Sequence, residues 1–530
     1  MIANKEKSIK MQNMRAIGLN FLVAAACGAL LSACAVGPDY RKPELATPAA
    51  YKEGVQKEQA GWKQAQPSDA IKRGAWWEVF GDPVLDDLEK QVDVSNQSLK
   101  QAEAQYRQAS ALVSSARASF WPTLTTSPSA TRSGRYGTSG GGIVSGGSVI
   151  GGTSTTGNPG SSHPTNAYQL PFTASWEPDL WGSVRRTVEG DVASAQASAA
   201  TLESTRLSLH ASLAQTYFQL RIADEQKRLL DDTVDGYRKS LQLTQNQYNV
   251  GVAARADVVQ AETQLKSAQV QAIDLGVARA QYEHAIALLI GKTPAEFALA
   301  AQPLKIRPPV VPVDVASTPL ERRPDVAVAE RQAAAANAQI GVAEAAWFPT
   351  LTLSASGGYQ NSVFSQLLDA PSRYWSIGPR LAETLFDGGA RRAQSAQARA
   401  AYDAAAANYR EVALAAFGNV EDNLAALRIL EQEAAAQDDA VKSAEQALTI
   451  TINQYRAGIV SYLNVITAQA TAYSNERAAI TLLGTRLNDS VALVKALGGG
   501  WEEKDLPAAG DISRKSVAPG DSATETAKQR

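Results

Sequence analysis

The sequence predicts a mixed α and β membrane protein with an internal two-fold repeat. Three observations carry that reading: a very long heptad helix that occurs twice, short segments of alternating polarity at two helix breaks, and an N-terminal export signal. From Leu202 the positions Leu209, Leu213, Thr216, Leu220, Ala223, Leu230, Val234, Tyr237, Leu241, Thr244 and Tyr248 follow the three-and-four spacing of a heptad seam, and only Arg206 and Lys227 interrupt it as charges. The design returns at Tyr409, Ala413, Ala416, Val420, Leu427, Leu430, Ala434, Val441, Ala444, Leu448, Thr451 and Tyr455, a shift of 207 positions that carries Tyr248 onto Tyr455 and Gly251 onto Gly458. A sustained seven-residue repeat imposes a left-handed supercoil against a partner helix. At ~1.5 Å per residue, roughly 65 helical residues reach about 100 Å, far beyond an ordinary globular helix.

The 530 residues, 45% hydrophobic and 20% charged, are ample for a large core without staples. A formal net charge of −2 without a basic run excludes the phosphate-neutralising footprint of a nucleic-acid binder. Frequent alanine suits closely packed helices.

At the N-terminus, Lys5, Lys7, Lys10 and Arg15 precede an apolar run from Ala16 to Leu30, closed by Leu31-Ser32-Ala33-Cys34. This reads as a secretory signal over 1–33 rather than a spanning helix. The closing tetrapeptide resembles a bacterial lipobox, which makes Cys34 the expected lipidation site and palmitate-type acylation the only expected covalent group. Cleavage there removes the other cysteine, Cys27, so no disulfide is expected. Ala35 instead of Asp after the cysteine favours the outer membrane under the sorting rule for such lipoproteins.

An extended, Pro-punctuated segment is expected over 34–80, ending in Trp76-Trp77-Glu78-Val79-Phe80, with both tryptophans read as anchors of a belt packed on the helices. A first repeat spans 81–290. Asp82 as N-cap and Pro83 at the first helical position start one helix running to about Ser119. The break at Phe120-Trp121-Pro122-Thr123-Leu124 opens a strand hairpin over 120–178. Its Gly/Ser-rich loop covers 133–166, and Tyr168, Leu170, Phe172, Ala174 and Trp176 alternate with polar neighbours. The long helix then turns at a tip near 250–254. A Pro-rich connector occupies 291–318. The second repeat, 319–497, has its break at Trp347-Phe348-Pro349-Thr350-Leu351, a strand hairpin over 347–384 and a tip near 457–461; the polar stretch 498–530 is expected to be a flexible tail. Four amphipathic strands per chain cannot close a barrel, and open strand edges are not tolerated in hydrocarbon, so closure requires several copies.

Taken together, Cys34-Ala35-Val36-Gly37-Pro38-Asp39-Tyr40, Trp76 to Pro83, Glu321-Arg322-Arg323-Pro324-Asp325-Val326, Ile340 to Leu351 and Leu385-Phe386-Asp387-Gly388-Gly389 resemble the TolC-like outer-membrane factors, in the lipoprotein (NodT- and OprM-like) branch that serves tripartite efflux systems. The resemblance implies a homotrimer with a twelve-stranded β-barrel, four strands per chain, continuous with a long antiparallel coiled-coil tunnel in the periplasm. It implies passive conduction of substrates from an inner-membrane pump of the proton-driven RND type and a periplasmic adaptor (membrane-fusion) protein to the exterior. By the same resemblance the adaptor-contact tips are Gly251, Val252, Asp257, Gly458 and Ile459, and the gate constriction is Leu463, Asn464 and Thr467. The family commonly places carboxylates at that constriction; this chain has an amide, a hydroxyl and a leucine, so a neutral gate is expected.

No catalytic or metal site is expected. His163 falls in the Gly/Ser loop, and His210 and His284 lie on helices far apart in sequence without ligand spacing. The paired glycines between 141 and 152 lack the strand-then-helix context of a phosphate cradle. Two other readings stay open: the exit duct of a protein-secretion system, and a non-conducting structural lipoprotein of the envelope.

Overall fold

The computed structural model describes residues 35–45, 51–53, 75–134, 164–304, 306–309 and 322–514. The signal segment, Cys34, His163, the paired glycines, most of the 133–166 loop, residues 310–318 of the connector and the chain beyond 514 lie outside the described residues. The chain forms two compact units. One takes Ser114–Glu189 and Ala338–Ala398 with the stretch up to Asp39; the other takes Tyr40–Val113, Gly190–Asn337 and Arg399–Arg530.

The first unit carries an antiparallel sheet of β1 (Thr123–Thr126), β2 (Ser129–Ser133), β3 (Thr165–Trp176), β4 (Thr350–Asn361) and β5 (Arg373–Ala382). The two short segments β1 and β2 both pair with β3 in one unbroken register, Thr126 opposite Phe172 and Ser129 opposite Gln169. They act as a single strand interrupted at Pro128, which has no N–H to give the ladder. The sheet therefore has four positions, ordered β1/β2, β3, β4, β5.

The register sorts the side chains. Leu124, Ala174, Ala355 and Ile377 form one row across the sheet, and Phe172, Gly357 and Trp375 form the next. One residue along, Thr125, Thr173, Ser356 and Ser376 share the opposite face. Because side chains alternate with period two, the large apolar residues of these rows fall on one face and most Ser/Thr residues on the other, with Thr126 beside Phe172 and Tyr374 among the polar rows as exceptions. No acidic residue occurs in any strand segment. Trp375 and Ile377 on the apolar face are 80% and 75% exposed.

At the helix-connected end of the sheet, aromatic residues cluster. Trp181 stacks on Phe348 at 4.8 Å and donates its indole N–H to the Pro349 carbonyl at 2.7 Å. Trp176 donates to the Phe120 carbonyl at 3.0 Å. The residues after position 34 are clasped here: Val36 N–H donates to the Trp181 carbonyl, and the 5%-exposed Arg186 side chain donates to the carbonyls of Val36 and Gly37 and to the Asp39 carboxylate. Gly37, at φ +99°, lies against the backbone of Gly341, where a Cβ would come within 2.5 Å.

The second unit is helical. The elements are α1 (Pro83–Ser95), α2 (Gln97–Ala118), α3 (Ser183–Asn249), α4 (Arg255–Leu289), α5 (Pro324–Ala345), α6 (Ala390–Arg456), α7 (Tyr462–Ala496) and α8 (Ala509–Arg514), of which α2, α3, α5 and α6 also extend into the first unit. Helices α3 and α6 are both 67 residues long, and α4 and α7 both 35. The heptad positions Leu213, Leu220, Leu230, Val234 and Tyr237 are buried. Trp76, Trp77 and Phe80 anchor a large core with Leu85 and Leu88 of α1, Tyr217 and Phe218 of α3, Ile286 of α4, Val420 of α6 and Leu487 of α7.

Two expectations need correction. The single helix from Pro83 to about Ser119 is broken at Asn96, whose backbone is extended (ψ 127°). Its side-chain oxygen accepts the Leu99 N–H at 3.0 Å, capping α2, while its amide donates to the Leu289 carbonyl at 2.7 Å. Asn satisfies a helix start better than it continues a helix, and the bond to α4 adds a tertiary reason. The tail expected to be flexible from 498 is instead folded as far as 514: Ile512 of α8 is buried against Val113 and Ala195. An apolar residue with a site to fill overrides a polar composition. Replacing Asn96 with alanine is expected to cost about 1–2 kcal/mol through the lost cap. A measurable drop in the thermal midpoint of the detergent-solubilised protein checks it; an unchanged midpoint removes the capping role.

Candidate functional site

The expected site residues sit at two helical turns of the second unit. At the first, α3 ends at Asn249 and Gly251 takes a left-handed φ of +78°. Its N–H donates to the Tyr248 carbonyl and the Val252 N–H to that of Gln247, at 2.9 and 2.8 Å. At the second, Gly458 has φ +74°, its N–H donates to the Tyr455 carbonyl, and Ile459 N–H donates to that of Gln454. Both turns close orphan carbonyls at a helix end with the left-handed residue that only glycine adopts without strain. Asp257 faces back toward its own turn, where its carboxylate accepts the Ala254 N–H at 3.1 Å and fixes the start of α4. Val252 and Ile459 are exposed.

The second turn leads into Leu463, Asn464 and Thr467. All three are exposed and lie on one face of α7, while Tyr462, Val465 and Ile466 on the other face are buried. The Thr467 hydroxyl donates to the Leu463 carbonyl at 3.0 Å, and the side chain is exposed. The face therefore presents an alkyl group, an amide and a hydroxyl, and carries no ionisable group among these three positions.

The two hairpins pack against each other behind these turns. Ala261 of α4 shares a cluster with Tyr455, Tyr462, Val465 and Ile466, and Leu241 of α3 borders it. Across the pair run neutral hydrogen bonds: Tyr455 hydroxyl to Thr244 hydroxyl at 3.1 Å and the Gln469 amide to the Ser240 hydroxyl at 2.8 Å. Farther along the same helices the Gln226 amide bonds the Thr481 hydroxyl at 3.2 Å. Such bonds contribute on the order of 1 kcal/mol each, enough to hold a register. Thr244 and Tyr455 were legible as members of their own heptad seams, but their pairing joins positions 211 apart and left no local signal.

Helix α4 carries two seams. Val258, Ala261, Leu265, Ala268 and Ala272 are buried, whereas Val259, Val270, Ile273 and Val277, also at heptad spacing with Thr263 and Lys266, are exposed. On α6, no position from 425 to 443 is buried. One flank of α4 is thus packed and the other open.

Among the described residues no cluster of His, Cys, Asp or Glu has the form of a metal site, and no helix is long and apolar enough to cross a membrane.

Known proteins share this arrangement. A sequence profile described as "Outer membrane efflux protein" matches residues 88–292 and 315–499. The chain is 30% identical over 486 residues to the pyoverdine export outer membrane protein OpmQ of Pseudomonas aeruginosa, covering 91% of this chain and 97% of that protein. It is 30% identical over 477 residues to the solvent efflux pump outer membrane protein SrpC of Pseudomonas putida, covering 89% and 96%. Among solved structures, the outer-membrane channel OprN superposes with a TM-score of 0.78 at 28% identity, covering 88% of this chain and all of that one. The open-state MtrE outer membrane channel of Neisseria gonorrhoeae gives 0.74 at 26% identity, covering 90% and 100%. With its two matched blocks, its sorted sheet and its paired helical hairpins, the chain belongs to the outer membrane efflux protein family and is an efflux channel protein of the outer membrane.

Proposed function

We propose that three copies of the chain close a twelve-stranded barrel in the outer membrane and extend it inward as a helical tunnel. This tunnel passively conducts substrates handed over by an inner-membrane pump, of the proton-driven RND type, and a periplasmic adaptor. The observation that carries the reading is the sheet: its large apolar side chains gather mainly on one face, most of its Ser/Thr residues on the other, and both outer edges, β1/β2 and β5, have no strand partner among the described residues. Such a sheet suits lipid on one side and water on the other only when its edges pair with other copies. The open seam of α4 is the helical counterpart of those edges. No catalytic step is part of this reading.

Purified protein in detergent is expected to have three times the mass of the mature chain, which is the 56.1 kDa of the full sequence less residues 1–33, and to conduct ions in a planar bilayer. A monodisperse monomer without conductance would instead fit a structural tether. The constriction is assigned to Leu463, Asn464 and Thr467, uncharged and exposed on one face of α7. Weak ion selectivity is therefore expected, shifting strongly toward cations in Asn464→Asp, where three added carboxylates ring the axis. Strong cation selectivity before any substitution overturns a neutral gate.

The adaptor is assigned to the tips, with Gly251, Val252, Asp257, Gly458 and Ile459 as contact positions. Supporting this are the two glycine turns, which present exposed Val252 and Ile459. Gly458→Val places a β-branched residue at positive φ, a strain of roughly 1–2 kcal/mol confined to the turn. The expected outcome is loss of substrate resistance in cells at unchanged outer-membrane abundance; full resistance would exclude the second tip as a contact.

Cys34 is assigned a lipid. The clasp that holds Val36, Gly37 and Asp39 at the aromatic end of the sheet supports an anchor launched from that level. Radiolabelled palmitate should enter the wild-type chain and be absent from Cys34→Ser; label retained in the variant excludes the assignment. No bound cofactor is proposed.

A further inference from the structure

One ionised cluster buried in the helical unit plays no part in conduction as described above. His210, in the middle of α3, is 3% exposed. Its Nδ1 lies 2.6 Å from Glu89 Oε2 and its Nε2 3.3 Å from Asp93 Oδ1, two carboxylates one turn apart on α1. The ring stacks on Trp77 at 4.5 Å with an interplanar angle of 22°. A neutral imidazole carries a single N–H and can donate to only one carboxylate, whereas an imidazolium donates to both. Glu89 is completely buried and its second oxygen, Oε1, has no hydrogen-bond partner. Without the imidazolium Glu89 must either stay protonated or stand as a buried charge with nothing to compensate it.

The other charged groups around the ring do not replace it. Arg206, one turn earlier on α3, is shared between Asp93 at 3.2 Å and Glu203 at 2.6 Å. Asp505, from the C-terminal stretch, and Glu203 stand on the rim of a cavity of about 550 Å³ that His210 borders together with Trp76 and Trp501. Asp86 adds negative charge near Glu89 from α1. On α1 the exposed Lys90 pairs with Asp87 at 3.5 Å, and Arg206 is already engaged.

We propose that His210 fastens α1 to α3 as an imidazolium, and that withdrawing its proton in alkali frees α1 from the helical unit. Burial by itself would lower the imidazole, but the hydrogen bonds and charges of Asp93 and Glu89 outweigh it and raise His210 to about 9. Burial likewise pushes Glu89 up to about 7, with His210 pulling the other way, while the bond to His210 holds Asp93 below its ordinary value. The two raised groups take up protons on folding. Their stabilisation is complete below the unfolded values, 4.5 for Glu89 and 6.5 for His210, and is lost as pH rises through about 7 and about 9. Asp93 works in the opposite sense and weakens the cluster only in stronger acid, below 3.8.

Hydrogen–deuterium exchange on the intact protein reads this directly and does not depend on conduction. Corrected for intrinsic exchange rates, protection of the α1 amides (83–95) is expected to fall on the order of a hundredfold between pH 6.5 and 9.5, with α5 as an unchanged reference. In His210→Gln the α1 protection should be low at pH 6.5 already and flat with pH. Unchanged protection in the wild type, or the same fall in the variant, overturns the proposal. Should His210→Gln fail to fold, histidine-selective ¹³C solid-state NMR decides on the wild type, which has only three histidines. A His210 titration near 9 supports the proposal, and one at the ordinary value overturns it.

Discussion

Backbone hydrogen bonding at the edges of the sheet is the constraint on which the rest of the structure depends. β5 is ten residues long, and about half of its N–H and C=O groups point away from β4. Each such group left unpaired in hydrocarbon costs several kcal/mol. A single copy in a bilayer would therefore carry a penalty of tens of kcal/mol, more than the whole net stability of an ordinary fold. No rearrangement of four strands removes two edges, and the proposed trimer is what would relieve that penalty in a bilayer. The helical part answers the same requirement in a milder currency. An open heptad seam of valines and isoleucine costs apolar exposure at roughly 25 cal/mol per Å² rather than orphaned amides.

Much of this was legible in the residues because it rests on short periods. A period of two over Tyr168–Trp176 and over the strands after Pro349 and before Leu385 assigns faces, and the strand register then adds the rows without changing any assignment. A period of three and four over two long stretches assigns the helices, and a glycine two residues past each long helix marks the turn. What escaped notice was long-range. Asn96 breaks a continuous helical pattern because its amide finds the Leu289 carbonyl 193 positions away. Ile512 orders a polar stretch because Val113 and Ala195 leave it a place. His210 read as an isolated helical histidine, since its two carboxylates stand 117 and 121 positions earlier.

Polarity is used differently in different parts of the chain. The sheet avoids carboxylates altogether, and the tips hold together through hydroxyl and amide bonds that salt and pH hardly touch. Around Trp76, Trp77 and Phe80, by contrast, ionised groups are drawn inside. Asp82 accepts from the Tyr217 hydroxyl at 2.6 Å, Arg221 bonds both Tyr217 and Asp224, and Asp224 reaches Arg279 at 2.8 Å. Arg279 and Glu283 also grip the connector backbone at Leu299. Buried ion pairs give little net stability but enforce one arrangement, because any alternative strands a charge. The core around Trp76 is specified by charge, and the two helical turns by neutral hydrogen bonds.

The matched lengths of the two hairpins, 67 and 35 residues in each repeat, restrict how such a chain can change over evolutionary time. Adding or deleting residues in one hairpin alone would stagger its turn relative to the other and pull Tyr455 away from Thr244. Length variation among descendants should therefore come as paired insertions or deletions, equal in both halves and in multiples of a heptad. A lineage with one hairpin lengthened would need a compensating stutter elsewhere in the same helix.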